Sequence, residues 1–260
     1  ADEVQSDKWT GPTDVWVHET STGAASKLTF GPSANSLPIW SADGKKIFFS
    51  SNRTGNFNLY SKDATGNGKE EVILKSENWL WANDCSRDGR FLLYEEVNPK
   101  TDYDLWALSL SDQKPPIPLV NMSGKQAHGR FSPDGQYVVY ASEETGRYEI
   151  YVQAFPDASR GKWQISTAGG FRPLWSRDGK EIFYLTPDRQ LISADTSHGF
   201  PIVSSKVLFT NVPVRTMNQV VENLYAVSPD GQRFLVDTPL EDPTRASITI
   251  ISNWQQLLKK

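Results

Sequence analysis

With 260 residues, 38% of them apolar and 12% aromatic, the chain has the material for a sizeable core, which excludes a disordered polypeptide. Its 27 basic and 31 acidic side chains leave a formal charge of −4 without long like-charge runs, so neither a nucleic-acid footprint nor a membrane-surface patch is written into it. The single cysteine, Cys85, excludes an internal disulfide, and no apolar run approaches the roughly 18 residues that cross a bilayer.

The chain starts at Ala1 without a methionine or a charged-then-apolar leader, so a start codon, signal or anchor is expected outside it. All-β folds often run to about 250 residues as one unit, and one domain over 1–260 is the expectation. Its organising feature is a Ser-x-Asp-Gly turn that occurs five times, with aspartates at 43, 88, 134, 178 and 230 and intervals of 45, 46, 44 and 52. Each turn follows a short segment ending in Trp40, Cys85, Phe131, Trp175 or Val227, and precedes a β-rich apolar run. Asp and Gly tolerate the positive φ of hairpin turns, so the two segments read as strands joined at Asp-Gly.

In chain order the repeat units span about 1–31, 32–76, 77–122, 123–167, 168–213 and 214–260. The first shows a third strand at 14–17 and a fourth at 27–30; the spacing puts its own turn about 17 residues before Trp16, upstream of Ala1. The next four units each predict four strands: a segment leading into the turn, then 47–49, 59–60 and 72–74; 91–94, 105–106 and 117–120; 138–140, 150–151 and 163–165; 182–184, 191–192 and 207–209. The sixth has 234–236 and 248–250 and no fourth strand, and a short helical cap at 254–258 ends the chain. Four strands per roughly 45 residues is the size of a propeller blade. The predicted fold is an all-β propeller of four-stranded blades, six-bladed with an incomplete N-terminal blade, the alternative being five blades in which the N-terminal fourth strand completes the last. The tryptophans at 16, 40, 106 and 175 recur at repeat positions and are expected between blades. An open seam would expose strand edges and invite self-association.

The segment Trp40-Ser41-Ala42-Asp43-Gly44-Lys45-Lys46-Ile47-Phe48-Phe49, with Asn58-Leu59-Tyr60, resembles the WD40-like repeat of the TolB propeller family, and the similarity extends along the chain. Leu28-Thr29-Phe30-Gly31-Pro32, Gly146-Arg147-Tyr148-Glu149-Ile150-Tyr151-Val152 and Gly161-Lys162-Trp163-Gln164-Ile165-Ser166 are similar to the C-terminal propellers of bacterial transmembrane serine/threonine kinases. That resemblance implies a non-catalytic binding or sensor module on the extracytoplasmic, periplasmic or cell-surface side of a bacterium. It offers no catalytic residue to carry over, and the kinase motifs are absent from the chain.

Candidate ligand-binding residues are those that break the repeat just before each unit's first strand, where loops would rim one mouth of the channel. They are Trp79, Trp81, Asn83 and Asp84, then His128 and Arg130 beside Gln126, then Phe171 and Arg172, and finally Asn223 and Tyr225 after Glu222. Such a mixture suits a peptide, glycan or protein partner. The turn aspartates read as structural, and Cys85 as a small apolar residue rather than a reactive thiol. His18, His128 and His198 fall in different units, with no His-Glu-x-x-His, Cys/His zinc or Gly-x-Ser-x-Gly pattern, so neither a metal nor a cofactor nor catalysis is expected. The runner-up readings are the gating propeller of a prolyl-oligopeptidase-type peptidase and a propeller hydrolase in which Asp84 and Glu222 face each other.

Overall fold

The computed structural model describes residues 11–19, 21–112, 114–214, 224–238 and 248–251. Every strand pairing given for them is antiparallel between consecutive strands, because each repeat brings its strands together through short turns. Sheet I is β1 (Trp16–His18) with β2 (Ala25–Lys27). Sheet II contains β3 (Asn35–Trp40), β4 (Lys46–Thr54), β5 (Asn56–Asp63) and β6 (Glu71–Leu74). Sheet III contains β7 (Trp79–Cys85), β8 (Phe91–Asn98), β9 (Asp102–Ser109) and β10 (Ile117–Val120). Sheet IV contains β11 (Gln126–Phe131), β12 (Tyr137–Ser142), β13 (Glu149–Ala154) and β14 (Lys162–Gln164). Sheet V contains β15 (Phe171–Trp175), β16 (Glu181–Leu185), β17 (Leu191–Asp195) and β18 (Ser205–Phe209). Sheet VI is β19 (Tyr225–Val227), β20 (Phe234–Asp237) and β21 (Ile248–Ile251).

The result is an all-β propeller of antiparallel sheets. Among the described residues sheet I and sheet VI are separate, without hydrogen bonds between β1–β2 and β21. The predicted N-terminal fourth strand at 27–30 is β2, three residues ending at Lys27; the Leu28 N–H still donates to the Val15 carbonyl at 2.8 Å. The helical cap at 254–258 lies outside the described residues.

The sheets stack through apolar layers between neighbours. Val15 and Leu28 pack with Ile47, Phe49 and Tyr60. Phe48 and Leu59 pack with Leu80, Leu92 and Tyr94, and Leu93 and Leu105 with Phe131, Val138 and Tyr140. Val139 and Ile150 pack with Ile182 and Tyr184, and Phe183 and Leu185 with Tyr225, Phe234 and Val236. Each such side chain, once buried, contributes about 1.5–3 kcal/mol against its exposed state. The first strands of successive sheets meet, β3 with β7, β7 with β11 and β11 with β15, so these are the strands nearest the axis.

Two of the four recurrent tryptophans depart from expectation. Trp106 and Trp175 pack against the layers between sheets, whereas Trp16 and Trp40 are 51% and 52% exposed. Trp175 is covered because its indole N–H reaches the Arg130 carbonyl in the first strand of the preceding sheet, at 3.3 Å. The sheet preceding Trp40 is sheet I, which has no first strand among the described residues.

The turns also differ from the two-residue form expected. Only the glycine takes positive φ, between 69° and 74° at Gly44, Gly89, Gly135, Gly179 and Gly231, and its N–H donates to the serine carbonyl. In sheet IV the Ser132 hydroxyl donates to the Asp134 carboxylate at 2.6 Å and accepts from the Tyr137 N–H at 2.9 Å; Asp134 also accepts from the Gln136 N–H at 3.0 Å. The other four turns repeat this pattern. The motif is thus a self-contained four-residue turn. A Cβ at Gly135 would meet nothing within 4 Å, so its requirement is conformational alone. Gly135→Ala should therefore lose about 1–2 kcal/mol, read as a lowered urea midpoint at constant slope; an unchanged midpoint would contradict this origin of the turn glycine.

Candidate functional site

In sheets II to V the first strand carries one extra residue relative to the second, between Ser36 and Ile39, Ala82 and Asp84, Ala127 and Arg130, and Phe171 and Leu174. In three of these bulges a non-glycine residue is left-handed: Leu37 at φ 51°, His128 at 61° and Arg172 at 54°. Each lies six positions before a turn aspartate. A left-handed L-residue costs about 1–2 kcal/mol, so the bulge is held by its surroundings. It re-aims the side chains that follow it.

The predicted rim residues accordingly lie elsewhere than expected. Trp79, Trp81, Asn83, Asp84, His128, Arg130, Phe171, Arg172 and Tyr225 belong to the first strands themselves, not to loops before them. Pairing begins further upstream than the apolar pattern suggests, as Trp79 already faces Val97 and Gln126 faces Ser142. Asn223 and Glu222 lie outside the described residues.

The nine described residues fall into a tryptophan pair, Phe171 beside Tyr148, and six that gather near the axis. Trp79 and Trp81 pack edge to face at 5.9 Å, with Phe57 4.4 Å from Trp81. Trp81 is buried there against Ala34 and Phe57, while Trp79 is partly exposed. Phe171 lies edge-on to Tyr148 at 5.4 Å, and the Tyr148 and His128 rings are 6.4 Å apart.

Asn83, Asp84, His128, Arg130, Arg172 and Tyr225 gather near the axis. The His128 N–H donates to Glu95 Oε1 at 2.7 Å, the Phe131 N–H to Asp84 Oδ2 at 2.8 Å and the Tyr225 hydroxyl to the Arg172 carbonyl at 2.8 Å. The Arg130 guanidinium donates to the Asn83 carbonyl. A cavity of about 270 Å³ opens beside the turns, lined by residues including Asp84, Cys85, Arg130, Leu174 and Trp175. Arg130 and Leu174 also line a constriction of about 10 Å³ with His128, Arg172, Leu224 and Tyr225. These two spaces form a mouth and a throat.

Burial dominates the electrostatics. It pushes the carboxyl of Glu95 up to about 7, opposed by the His128 N–H, the Asn83 side chain and the charges of Arg172 and Arg130. Desolvation also raises Asp84, against the pull of Arg130 and the Phe131 N–H. Cys85, half-buried at the mouth, is pushed up to about 11 by burial, which keeps it a thiol. Among the described residues there is no group of three or more metal-ligating side chains.

Sequence reasoning missed Glu95. It lies on the second strand, seven residues after its turn aspartate, where the other units have Ser50, Ala141, Leu185 and Asp237. Ser50 does the same work as Glu95 one sheet earlier, its hydroxyl accepting from the Ala82 N–H at 2.9 Å. Aligning the repeats by their turns would have exposed the substitution. Leu174, Trp175, Arg87 and Pro133 were also missed as lining, because they follow the repeat pattern.

No family model matches the chain. Among curated proteins it is similar to the Tol-Pal system protein TolB of Wolinella succinogenes, at 25% identity over 131 residues, which is 49% of this chain and 30% of that protein. The chain thus spans under a third of that relative's length. Among solved structures it matches TolB from Acinetobacter baumannii with a TM-score of 0.74 at 20% identity, covering 92% of this chain and 57% of that one.

The fold is TolB-like. Putative TolB from Agrobacterium tumefaciens gives 0.69 at 16% identity over 93% and 85% of the two chains. The hydrazine synthase of Kuenenia stuttgartiensis gives 0.54 at 19% identity over 83% and 62%, so propellers of this shape serve unrelated proteins.

Within the TolB-like fold Glu95 offers a direct test of the buried network. Its carboxyl keeps its proton to about pH 7 when folded and loses it near 4.5 when unfolded, so its stabilising contribution is complete below 4.5 and lost as the pH rises through 7. Glu95→Gln keeps an acceptor for the His128 N–H without a charge. Between pH 4.5 and 8 the parent should lose about 3 kcal/mol that the variant does not, measured by urea denaturation; parallel pH profiles would refute the assignment.

Proposed function

We propose that the chain is a non-catalytic, protein-binding propeller on the extracytoplasmic side of a bacterium, with its partner entering at the turn-side mouth. It serves either as a TolB-like periplasmic protein or as the C-terminal sensor module of a membrane serine/threonine kinase. The observation that carries the binding reading is the cavity of about 270 Å³ at the ends of β7, β11 and β15, which narrows into a throat of buried charged and polar side chains. A concave space with a few fixed polar groups is the usual form of a recognition site. The TolB-like fold supports the periplasmic setting, and no described helix is long and apolar enough to cross a membrane.

The buried charges themselves have structural work to do, since Glu95 and Asp84 accept backbone N–H groups from the next sheet. The binding surface is therefore the mouth as a whole, which Asp84 helps to line, rather than the carboxyl groups alone. A photo-crosslinking residue at Pro133, which lines the mouth, should give a discrete adduct with an envelope protein in the bacterial host. The same residue at Val72, exposed on β6, should not; matching adduct patterns from both positions would overturn the reading.

A further inference from the structure

An asparagine followed by glycine is the pair in which a chain most readily attacks its own side chain, because glycine puts no Cβ in the way of the backbone nitrogen as it approaches the asparagine Cγ. The chain contains this pair once, at Asn67-Gly68. Its other asparagines are followed by residues that carry a Cβ, such as Arg53 after Asn52, Asp84 after Asn83 and Met122 after Asn121. Pro99, after Asn98, has no N–H to give up.

Asn67 and Gly68 lie in the loop that joins β5 to β6 in sheet II, beside the Ser41–Gly44 turn, since Asp63 at the end of β5 faces Lys46. The start of the loop is closed by hydrogen bonds. The Gly66 N–H donates to the Asp63 carbonyl at 3.0 Å, and the Asp63 carboxylate accepts the Thr65 N–H at 2.8 Å. Beyond that point the backbone is open. Asn67 and Gly68 are both exposed, and the Gly68 N–H has no hydrogen-bond partner among the described residues. Gly66 and Gly68 take φ of 84° and 74°, and a Cβ on either would meet nothing within 4 Å. Asn35 shows the contrast: it is buried, and its Nδ2 donates to the carbonyls of Thr13 and Ser33. A loop tip of this kind needs no unfolding to bring the reacting atoms together.

We propose that Asn67 is a site of spontaneous deamidation in the folded protein, with water as the only co-reactant. The Gly68 nitrogen gives its proton to hydroxide and attacks the Asn67 Cγ. The bond from Cγ to the side-chain nitrogen breaks, that nitrogen takes up a proton and leaves as ammonia, and a cyclic imide remains. One water then opens the ring. Attack at the side-chain carbonyl gives aspartate; attack at the main-chain carbonyl gives isoaspartate, whose backbone runs through the former side chain. One water is consumed and one ammonia released, with no change of oxidation state.

Either product adds a negative charge to a chain whose formal charge is −4. It also removes the Nδ2 group that donates to Thr65 Oγ1 at 2.9 Å. The Thr65 hydroxyl already donates to Asp63, so it is left between two carboxylates that repel each other. The loop should rearrange, while the ladder between β5 and β6 keeps sheet II intact.

The experiment incubates the whole chain at neutral and at mildly alkaline pH in water enriched in a heavy oxygen isotope, and follows Asn67 by peptide mapping and mass spectrometry. Asn67 should convert to both isomers, taking up one solvent oxygen, and faster at the higher pH because the Gly68 nitrogen must lose its proton. The folded chain should react within about fivefold of a synthetic peptide spanning 61–71. Gly68→Ala should slow the conversion at least about tenfold in chain and peptide alike. Asn67→Asp should take up no oxygen at that position and should leave the melting temperature unchanged. An intact Asn67 in the folded chain once the peptide has converted overturns the proposal, as does a Gly68→Ala rate equal to the parent's or equal conversion at Asn121.

Discussion

In sheets II to VI the first strand has one edge with no further strand beyond it, and those of sheets II to V meet at the axis where the sheets converge. Their backbone N–H and carbonyl groups are buried there and have to be satisfied by something other than a ladder. Side chains of the neighbouring sheet do this. Ser50 takes the Ala82 N–H, Glu95 takes that of His128 and Asp84 that of Phe131; Trp175 reaches back to Arg130, and Tyr225 to Arg172. These ties join neighbouring sheets alongside the apolar layers, and they explain why polar groups persist at the axis of a protein whose blades are held by packing.

Using carboxylates as ties has an electrostatic consequence. Desolvation outweighs the partners of half-buried Asp84 and of fully buried Glu95; Arg130 offsets part of that cost at both, and Arg172 at Glu95. The charge of the throat lining comes from Arg130 and Arg172, whereas Asp84 lines the mouth. The mouth inherits its shape from the same bulges, since one extra residue in each first strand turns the following side chains toward the cavity.

Most of the fold was legible because its signals are periodic. Five turns with near-constant spacing, each followed by an apolar run, place the hairpins and most of the outer strands within a few residues. The ends of the chain were harder: β2 stops at Lys27, and Trp16 and Trp40 are exposed because periodicity reports a position in the repeat and not the presence of a neighbour. The axial site was partly legible. Departures from the repeat pointed to Asn83, Asp84, His128, Arg130, Arg172 and Tyr225, yet placed them in loops, since a bulge interrupts the alternation that marks a strand. Glu95 was hidden within a strand, and Arg87 and Trp175 gain their meaning only from which sheets are brought side by side.

The turn glycines also bear on how such a ring tolerates change. A Cβ on Gly89 would stand 3.5 Å from the Ala42 side chain of the preceding turn, and one on Gly179 would stand 3.5 Å from Pro133, so lengthening the turn there would force neighbouring blades apart. The vacant spaces beside Gly135 and Gly231 impose no such limit. Inserted loops would be accommodated at those two seams first, so new specificities grafted onto this scaffold would tend to arise on alternate blades.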